Sequence, residues 1–369
     1  MAVIKRVRLS EIAELVTKGT TPTTLGYEFQ DTGVNFLKIE CFSEKGDYIQ
    51  NKATHISEEC HEKLKRSQLK EGDILFSIAG VIGRVAIVTR NMLPANINQA
   101  LAIIRIKKDD IYLPYVKLIL TSPLIKKQFE RKKQGVAQLN ISLKDINDLE
   151  IPLPEIGKQI EYANSFKKVE KLIYTRQYQL QKLDELVKAR FVELFGDPLT
   201  NPKGYQEKYL SEIAEYWNGL TYKPDDVANE GTIVLRSSNI QNASLDFADT
   251  VRVNCKIGTK KYVQDNDILM CSRNGSAKLV GKVALIKELS EPMSFGAFMM
   301  IIRSAYYPFL MTYFQLPAFR SQITTGATTT INQITGRMLD NVKLAIPDIE
   351  SAKDFSAFTN QVDKSKVVA

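Results

Sequence analysis

Few residue groups in this chain have the types and spacing that chemistry needs, and most of those fail when the spacing is tested. The stretch Gly275-Ser276-Ala277-Lys278-Leu279-Val280-Gly281-Lys282 resembles a phosphate-cradling loop. It holds five residues between its glycines where four are required, and Val283 stands where a Ser or Thr would bind magnesium. No G-x-G-x-x-G follows a strand-like run, and no H-E-x-x-H or G-x-S-x-G occurs. The two histidines, His55 and His61, lie near Cys41 and Cys60, but this spacing fits no zinc template. With Cys255 and Cys271, those cysteines read as reduced thiols of a cytoplasmic protein. Acidic residues are plentiful but form no recognisable pair, so no catalytic residue and no metal ligand is assigned.

Nucleic-acid chemistry fits better. Lys117, Lys126, Lys127, Arg131, Lys132 and Lys133 face only Glu130 within residues 117–133. Lys256, Lys260, Lys261, Arg273, Lys278, Lys282 and Lys287 face only Asp265 and Asp267 within residues 256–287. Such segments suit phosphate contacts, which position a protein on a duplex. Loops rich in Arg, amide and hydroxyl groups supply the residue types that read base edges. In the first half the candidates are Lys18, Thr20, Thr21, Thr23, Arg84, Asn98, Gln99, Lys126, Arg131, Gln138 and Asn140. In the second half they are Lys223, Arg236, Ser238, Asn239, Arg273, Asn274, Lys278, Thr329 and Asn332. Each taken singly also has a plainer reading as an ordinary polar loop residue.

The elements that position these loops are written twice. Leu9-Ser10-Glu11-Ile12-Ala13-Glu14 returns as Leu210-Ser211-Glu212-Ile213-Ala214-Glu215. Asp73-Ile74-Leu75, Gly83-Arg84-Val85-Ala86, Ile103-Ile104-Arg105 and Ile151-Pro152 return in the same order, at offsets of 194 to 201 residues. That period is too long for a solenoid and marks a duplicated domain. The matches fall at apolar framework positions, while the polar loops between them differ. A duplicated enzyme would repeat its catalytic residues; two equal scaffolds with unlike loops fit two readers of two targets.

Each copy reads as α+β. Ser10 and Ser211 read as N-caps of a short opening amphipathic helix. Strands are expected at Val34–Ile39, Asp73–Ile78, Val85–Val88 and Ala100–Ile106. A helix opening at Ser122-Pro123 runs toward Gly135, with a counterpart from Pro317 to Gly326, and each copy closes on a short strand and a proline. From Glu155 to Phe195 there is one glycine and no proline. Val169, Leu172, Ile173, Leu180, Leu183, Val187, Phe191 and Leu194 fall at three/four spacing, the seam of a helix that pairs with another. Gly196-Asp197-Pro198 stops it. A shorter echo begins at Pro347-Asp348-Ile349. The expected segments are 1–154, 155–198, 199–347 and 348–369.

Composition agrees with this reading. The 369 residues are 44% hydrophobic and 25% charged, which excludes a disordered or disulfide-scaffold protein. Fifty Lys and Arg against 42 Asp and Glu give a net charge of +8, suited to a polyanion partner. No secretory leader is expected, and no apolar run approaches the ~18 residues of a membrane span.

In this order the motifs resemble the specificity subunits of type I restriction–modification systems. The carrying residues are Gly19-Thr20-Thr21-Pro22, Gly72-Asp73-Ile74-Leu75-Phe76-Ser77 with Gly80-Val81-Ile82-Gly83, and Ile151-Pro152-Leu153-Pro154. Phe191-Val192-Glu193-Leu194-Phe195-Gly196-Asp197-Pro198, Asn201-Pro202-Lys203-Gly204 and the stretch from Phe358 to Lys366 complete the pattern. The resemblance covers essentially the whole chain.

It implies two target recognition domains that read a bipartite site in double-stranded DNA. The long helix would pair antiparallel, in coiled-coil manner, with the C-terminal one as a spacer. Those helices, with Val169, Ile173, Leu180, Leu183, Val187 and Leu194, would dock two modification subunits, and through them restriction subunits. This chain would hold no cofactor; S-adenosylmethionine, ATP and magnesium would belong to the partners, which methylate adenine and cut. Relative to the family's pattern the C-terminal helix reads as truncated at Ala369, which implies an incomplete helix pair. Two other function classes remain open at this point, a stand-alone DNA nuclease or methyltransferase and a helical scaffold.

Overall fold

The computed structural model describes residues 5–107, 110–131, 140–323 and 333–368. It comprises two units, Met1–Ile173 and Tyr174–Ala369, and the division falls within one long helix, Ile156–Phe195.

In the first unit a four-stranded antiparallel sheet runs in the order Ala13–Lys18, Leu101–Ile106, Ile74–Ser77, Val85–Ile87. A three-stranded sheet is made of Thr54–Ile56, Val34–Leu37 and Ala95–Ile97, the last two parallel. Side chains alternate across a strand, and here both faces are covered. Ile74, Phe76, Ala102 and Ile104 pack with Val116, Leu120, Ile125 and Phe129 of the helices Leu113–Leu120 and Pro123–Arg131. Leu75, Leu101 and Ile103 point the other way and pack with Leu37, Ala95 and Ile97 of the smaller sheet. Burying each large apolar side chain contributes about 1.5–3 kcal/mol, so the strands read as unbroken apolar runs.

The second unit repeats this plan. Its main sheet runs Glu215–Asn218, Met299–Arg303, Ile268–Cys271, Val283–Leu285. Its second sheet is Val227–Ala228, Arg252–Val253, Thr232–Leu235 and Met293–Phe295, again with the last pair parallel. Ile268, Met270, Met300 and Ile302 face the helices, while Leu269, Cys271, Met299 and Ile301 face the second sheet. Each copy is closed by a two-stranded pair, Arg6–Arg8 with Glu150–Pro152 and Gln206–Tyr209 with Lys343–Ile346. The duplicated α+β architecture expected from the sequence is the one observed.

Two details differ from expectation. The opening helices are single turns, Leu9–Ile12 and Leu210–Ile213, and Ser10 and Ser211 lie inside them rather than capping them. The cap is formed from the third position: the Arg8 N–H donates to Glu11 Oε1 at 2.8 Å and the Tyr209 N–H to Glu212 Oε2 at 2.6 Å. The chain then leaves for a strand, because Val16 and Thr17 are β-branched and pair with Ile104 and Ile103.

The helix Ile156–Phe195 is continuous over 40 residues, roughly 60 Å at 1.5 Å per residue. Gly196, at φ 72°, turns the chain out of it. Within the second unit its end runs antiparallel to the C-terminal helix Ile349–Val368. Lys366 Nζ meets Asp184 Oδ1 at 2.8 Å. At the other end the Phe355 ring lies 5.7 Å from Phe191 and 5.4 Å from Phe195. Phe309 completes this aromatic cluster, 4.9 Å from Phe191.

Candidate nucleic-acid interface

Two glycines set the loops that carry the candidate residues. A Cβ on Gly19 would lie 1.9 Å from the Ile97 carbonyl oxygen, and one on Gly219 2.1 Å from that of Phe295. Each backbone therefore touches the end of a strand of the second sheet, which only glycine permits. In the first unit this approach brings Thr21 beside Gln99, whose side chains hydrogen-bond. Lys18, Thr20 and Thr23 stand exposed on the same stretch. Thr24 donates to the Thr21 carbonyl at 2.6 Å and holds the turn. Asn98 keeps a buried side-chain oxygen without a partner among the described residues.

Arg84 is placed differently. Its guanidinium donates to the carbonyls of Ile39 at 3.3 Å and Phe42 at 2.8 Å, so it braces the turn Ile39–Cys41. Lys282 repeats the brace in the second unit, donating to the Ile240 carbonyl at 2.8 Å beside the turn Ser237–Asn239. The stretch resembling a phosphate loop is therefore a connection between antiparallel strands, Ile268–Cys271 and Val283–Leu285, with no helix for a phosphate to cap.

The second unit presents a cleft of about 960 Å³ lined by Tyr222, Arg236, Ser238, Asp249, Arg273, Asn274 and Phe298. Arg236 grips Asp249 through two hydrogen bonds of 2.8 and 2.9 Å. Asn239 is buried and saturated: it accepts from the Arg236 N–H at 2.8 Å and donates to the carbonyls of Asp246 and Asp249 at 2.8 Å. Its amide shapes the loop and does not face solvent. Asn274 donates to Ser237 Oγ at 3.2 Å and accepts from the Ser276 N–H at 2.9 Å. The Arg273 guanidinium lies over the Phe298 ring, 5.3 Å from its centroid. Lys223 and Lys278 are exposed.

Backbone hydrogen bonds align the two copies residue by residue. The Ile78 N–H donates to Ala100 O at 2.9 Å, as Ser272 does to Phe298 O at 2.9 Å. Ile141 donates to Ile78 O at 3.0 Å, as Ile334 does to Ser272 O at 2.7 Å. Where the second unit carries Arg273 and Phe298, the first thus carries Ala79 and Ala100. Where the second carries Arg236, the first carries Lys38, its ammonium 4.5 Å from the Phe29 ring centroid. Phe29, Lys38, Tyr222 and Phe298 were not picked out from the sequence. For the three aromatics, a ring in a polar loop was the only signal, and Phe298 follows Gly296-Ala297 without any periodicity.

Lys126 is exposed on the helix Pro123–Arg131, and Asn140 is exposed beyond it. Gln138, Thr329, Asn332 and the side chain of Arg131 lie outside the described residues. On the long helix, Val187 and Leu194 pack against the core of the second unit and Leu180 and Leu183 are half-buried. Val169 and Ile173 are exposed by about half, with Phe166 on the same face. Cys41 and Cys60 sit in separate apolar clusters. No group of three or more metal-ligating side chains forms among the described residues. No helix among them is long and apolar enough to cross a membrane.

Residues 3–185 and 202–367 match the profile of the type I restriction modification DNA specificity domain. The chain is 32% identical over 142 residues to the EcoBI type I restriction enzyme specificity subunit of Escherichia coli, covering 38% of this chain and 28% of that one. It is 23% identical over 276 residues to the MjaVIII specificity subunit of Methanocaldococcus jannaschii, covering 69% and 64%. The match thus spans between about a quarter and two thirds of the length of these relatives. Among solved structures, one described as bearing on complex assembly and conformational transition of a type I R-M system aligns with a TM-score of 0.61 at 16% identity, over 99% of this chain and 91% of that one. The S subunit from M. genitalium aligns at 0.52 and 14% identity, over 98% and 90%. Those structural likenesses concern the fold.

Proposed function

Since the chain belongs to the type I restriction–modification DNA specificity family, we propose that it is the sequence-reading subunit of such a system, with one unit for each half of a bipartite duplex target. One observation carries the reading: a single scaffold is built twice with unlike side chains at equivalent loop positions, Ala79 and Ala100 against Arg273 and Phe298. Equal frames with unequal contacts are what two different half-sites require. The exposed lysines would contact phosphates and fix the register.

In this reading the chain performs no catalysis and holds no cofactor. Two modification subunits, using S-adenosylmethionine to methylate adenine, dock on the long and C-terminal helices. Restriction subunits, using ATP and magnesium, join through them. The half-exposed face with Phe166, Val169 and Ile173 supports a docking role for that helix. The assembly would work in the cytoplasm, where its DNA lies.

The test is the methylome of cells that carry this gene with its modification partner. Methylated adenines should fall in a two-part motif with a fixed spacer. Their absence, or a continuous motif, overturns the proposal. Replacing residues 1–154 with those of a relative should change one half of that motif and leave the other.

A further inference from the structure

We propose that the second unit reads a guanine through Arg273, with Phe298 as the platform that aims the guanidinium. The inference rests on the DNA-reading function above and assigns a base to one side chain.

The pair is built for orientation. The N–H groups of Ser272 and Arg273 both donate to the Phe298 carbonyl, at 2.9 and 3.1 Å, and Ser272 Oγ donates there as well at 2.9 Å. The two backbones are thereby locked together, and the side chains rise from them in contact, 5.3 Å from guanidinium to ring centroid. Phe298 is 59% exposed, so its ring and the guanidinium beside it face solvent together. Contact with the ring leaves guanidinium N–H groups available for a further acceptor.

Those N–H groups make no hydrogen bond among the described residues, although Arg273 shares its cleft with Asp249. Asp249 is taken by Arg236, whose Nη2 alone donates to both carboxylate oxygens. Arg273, exposed where Arg236 is half-buried, thus presents a whole fork to the cleft, and such a fork matches the O6 and N7 acceptors on the major-groove edge of guanine. A phosphate could accept the same fork, so the two targets are told apart by whether loss of Arg273 is specific to one base pair or equal on every duplex. The first unit has Ala79 and Ala100 at these places, so the guanine requirement falls in one half of the target.

The experiment selects duplexes from a randomised library with the full chain, then repeats the selection with R273A, R273K and F298A. Arg273 is exposed in a loop, so these variants keep the fold. The wild type should select a two-part site. R273A should select the same site except at one G·C pair, where preference disappears, and should bind the wild-type site about 5- to 150-fold more weakly. R273K should not restore that preference. F298A should weaken the preference at the same pair and no other, and binding to unrelated duplex should be unchanged throughout. An identical selected site for R273A overturns the inference. So does an equal loss on every duplex together with a shallower salt dependence, the mark of a phosphate contact. A wild-type chain that selects no sequence would instead overturn the proposed function itself.

Discussion

Arg303 grips both oxygens of the buried Asp267 carboxylate, Nε to Oδ1 at 2.6 Å and Nη2 to Oδ2 at 2.8 Å. Arg105 and Asp73 repeat the grip in the first unit at 2.7 Å for both bonds. Each aspartate also accepts a backbone N–H from the turn before its strand, from Lys70 at 2.7 Å and from Gln264 at 2.8 Å. The carboxylates thereby tie the start of the strands Ile74–Ser77 and Ile268–Cys271 to the neighbouring strand. The far ends of those same strands lead to Ala79 and Arg273. A misplaced start would displace the loop proposed to meet DNA.

Arg105→Ala should therefore destabilise the first unit by about 3 kcal/mol, because it strands a carboxylate that is 1% exposed. Arg303→Ala should cost less, since that guanidinium is 37% exposed against 15% for Arg105. Urea unfolding of the full chain measures both. Equal losses, or none, would sink this account.

Gly19→Ala and Gly219→Ala each drive a methyl into a carbonyl oxygen of the second sheet. We expect about 1–3 kcal/mol of destabilisation from each. Selection of DNA sequence should degrade in the half-site of the altered unit alone. A Gly19→Ala chain that unfolds like wild type and selects both half-sites unchanged would refute the close approach.

The duplication and the strand cores were legible in the sequence because short unbroken apolar runs are a local signal, as at Ile74-Leu75-Phe76 and Ile301-Ile302. Roles set by distant contacts were not. Arg84 looks like a DNA-contacting residue until its partners are seen, 42 and 45 residues away at Phe42 and Ile39. Asn239 looks like a base reader until its amide is found saturated. Ser10 and Ser211 look like caps because the sequence pattern does not reveal that Glu11 and Glu212 reach the orphan N–H groups first. Phe298 offered only an aromatic in a polar loop, because its meaning depends on a backbone hydrogen bond that places Arg273 beside it.

The thiols offer a readout of burial. Burial pushes the Cys41 and Cys271 thiols up, away from the reactive thiolate, whereas Cys255 is partly exposed. At mildly alkaline pH in the folded chain, iodoacetamide should modify Cys255 first, followed by mass spectrometry to locate the adduct. Equal labelling of Cys41, Cys271 and Cys255 without denaturant would contradict the packing of both cores.

Asp348 opens the C-terminal helix by accepting from the Ser351 N–H at 2.9 Å and the Ser351 hydroxyl at 2.7 Å. These bonds hold its carboxyl below the usual aspartate range, the backbone bond contributing most. A depressed folded-state pKa stabilises above the unfolded value, and that benefit is lost as pH falls through the folded value. Protection of amides 351–355, measured relative to the intrinsic exchange rate at each pH, should therefore fall in acid, and Asp348→Asn should flatten the dependence. An unchanged acid profile in the Asn variant would show that another group governs the helix end.

The bond from the Ser272 N–H to the Phe298 carbonyl, and its twin from Ile78 to Ala100, joins main chain to main chain. Such a link is indifferent to the side chains on the residues it joins. On the proposed reading, substitutions at Ala79, Ala100, Arg273 and Phe298 can accordingly rewrite what each half-site spells while the grammar that folds the unit stays fixed. New specificities can then accumulate as near-neutral changes, without each one first having to be rescued by a compensating mutation in the core.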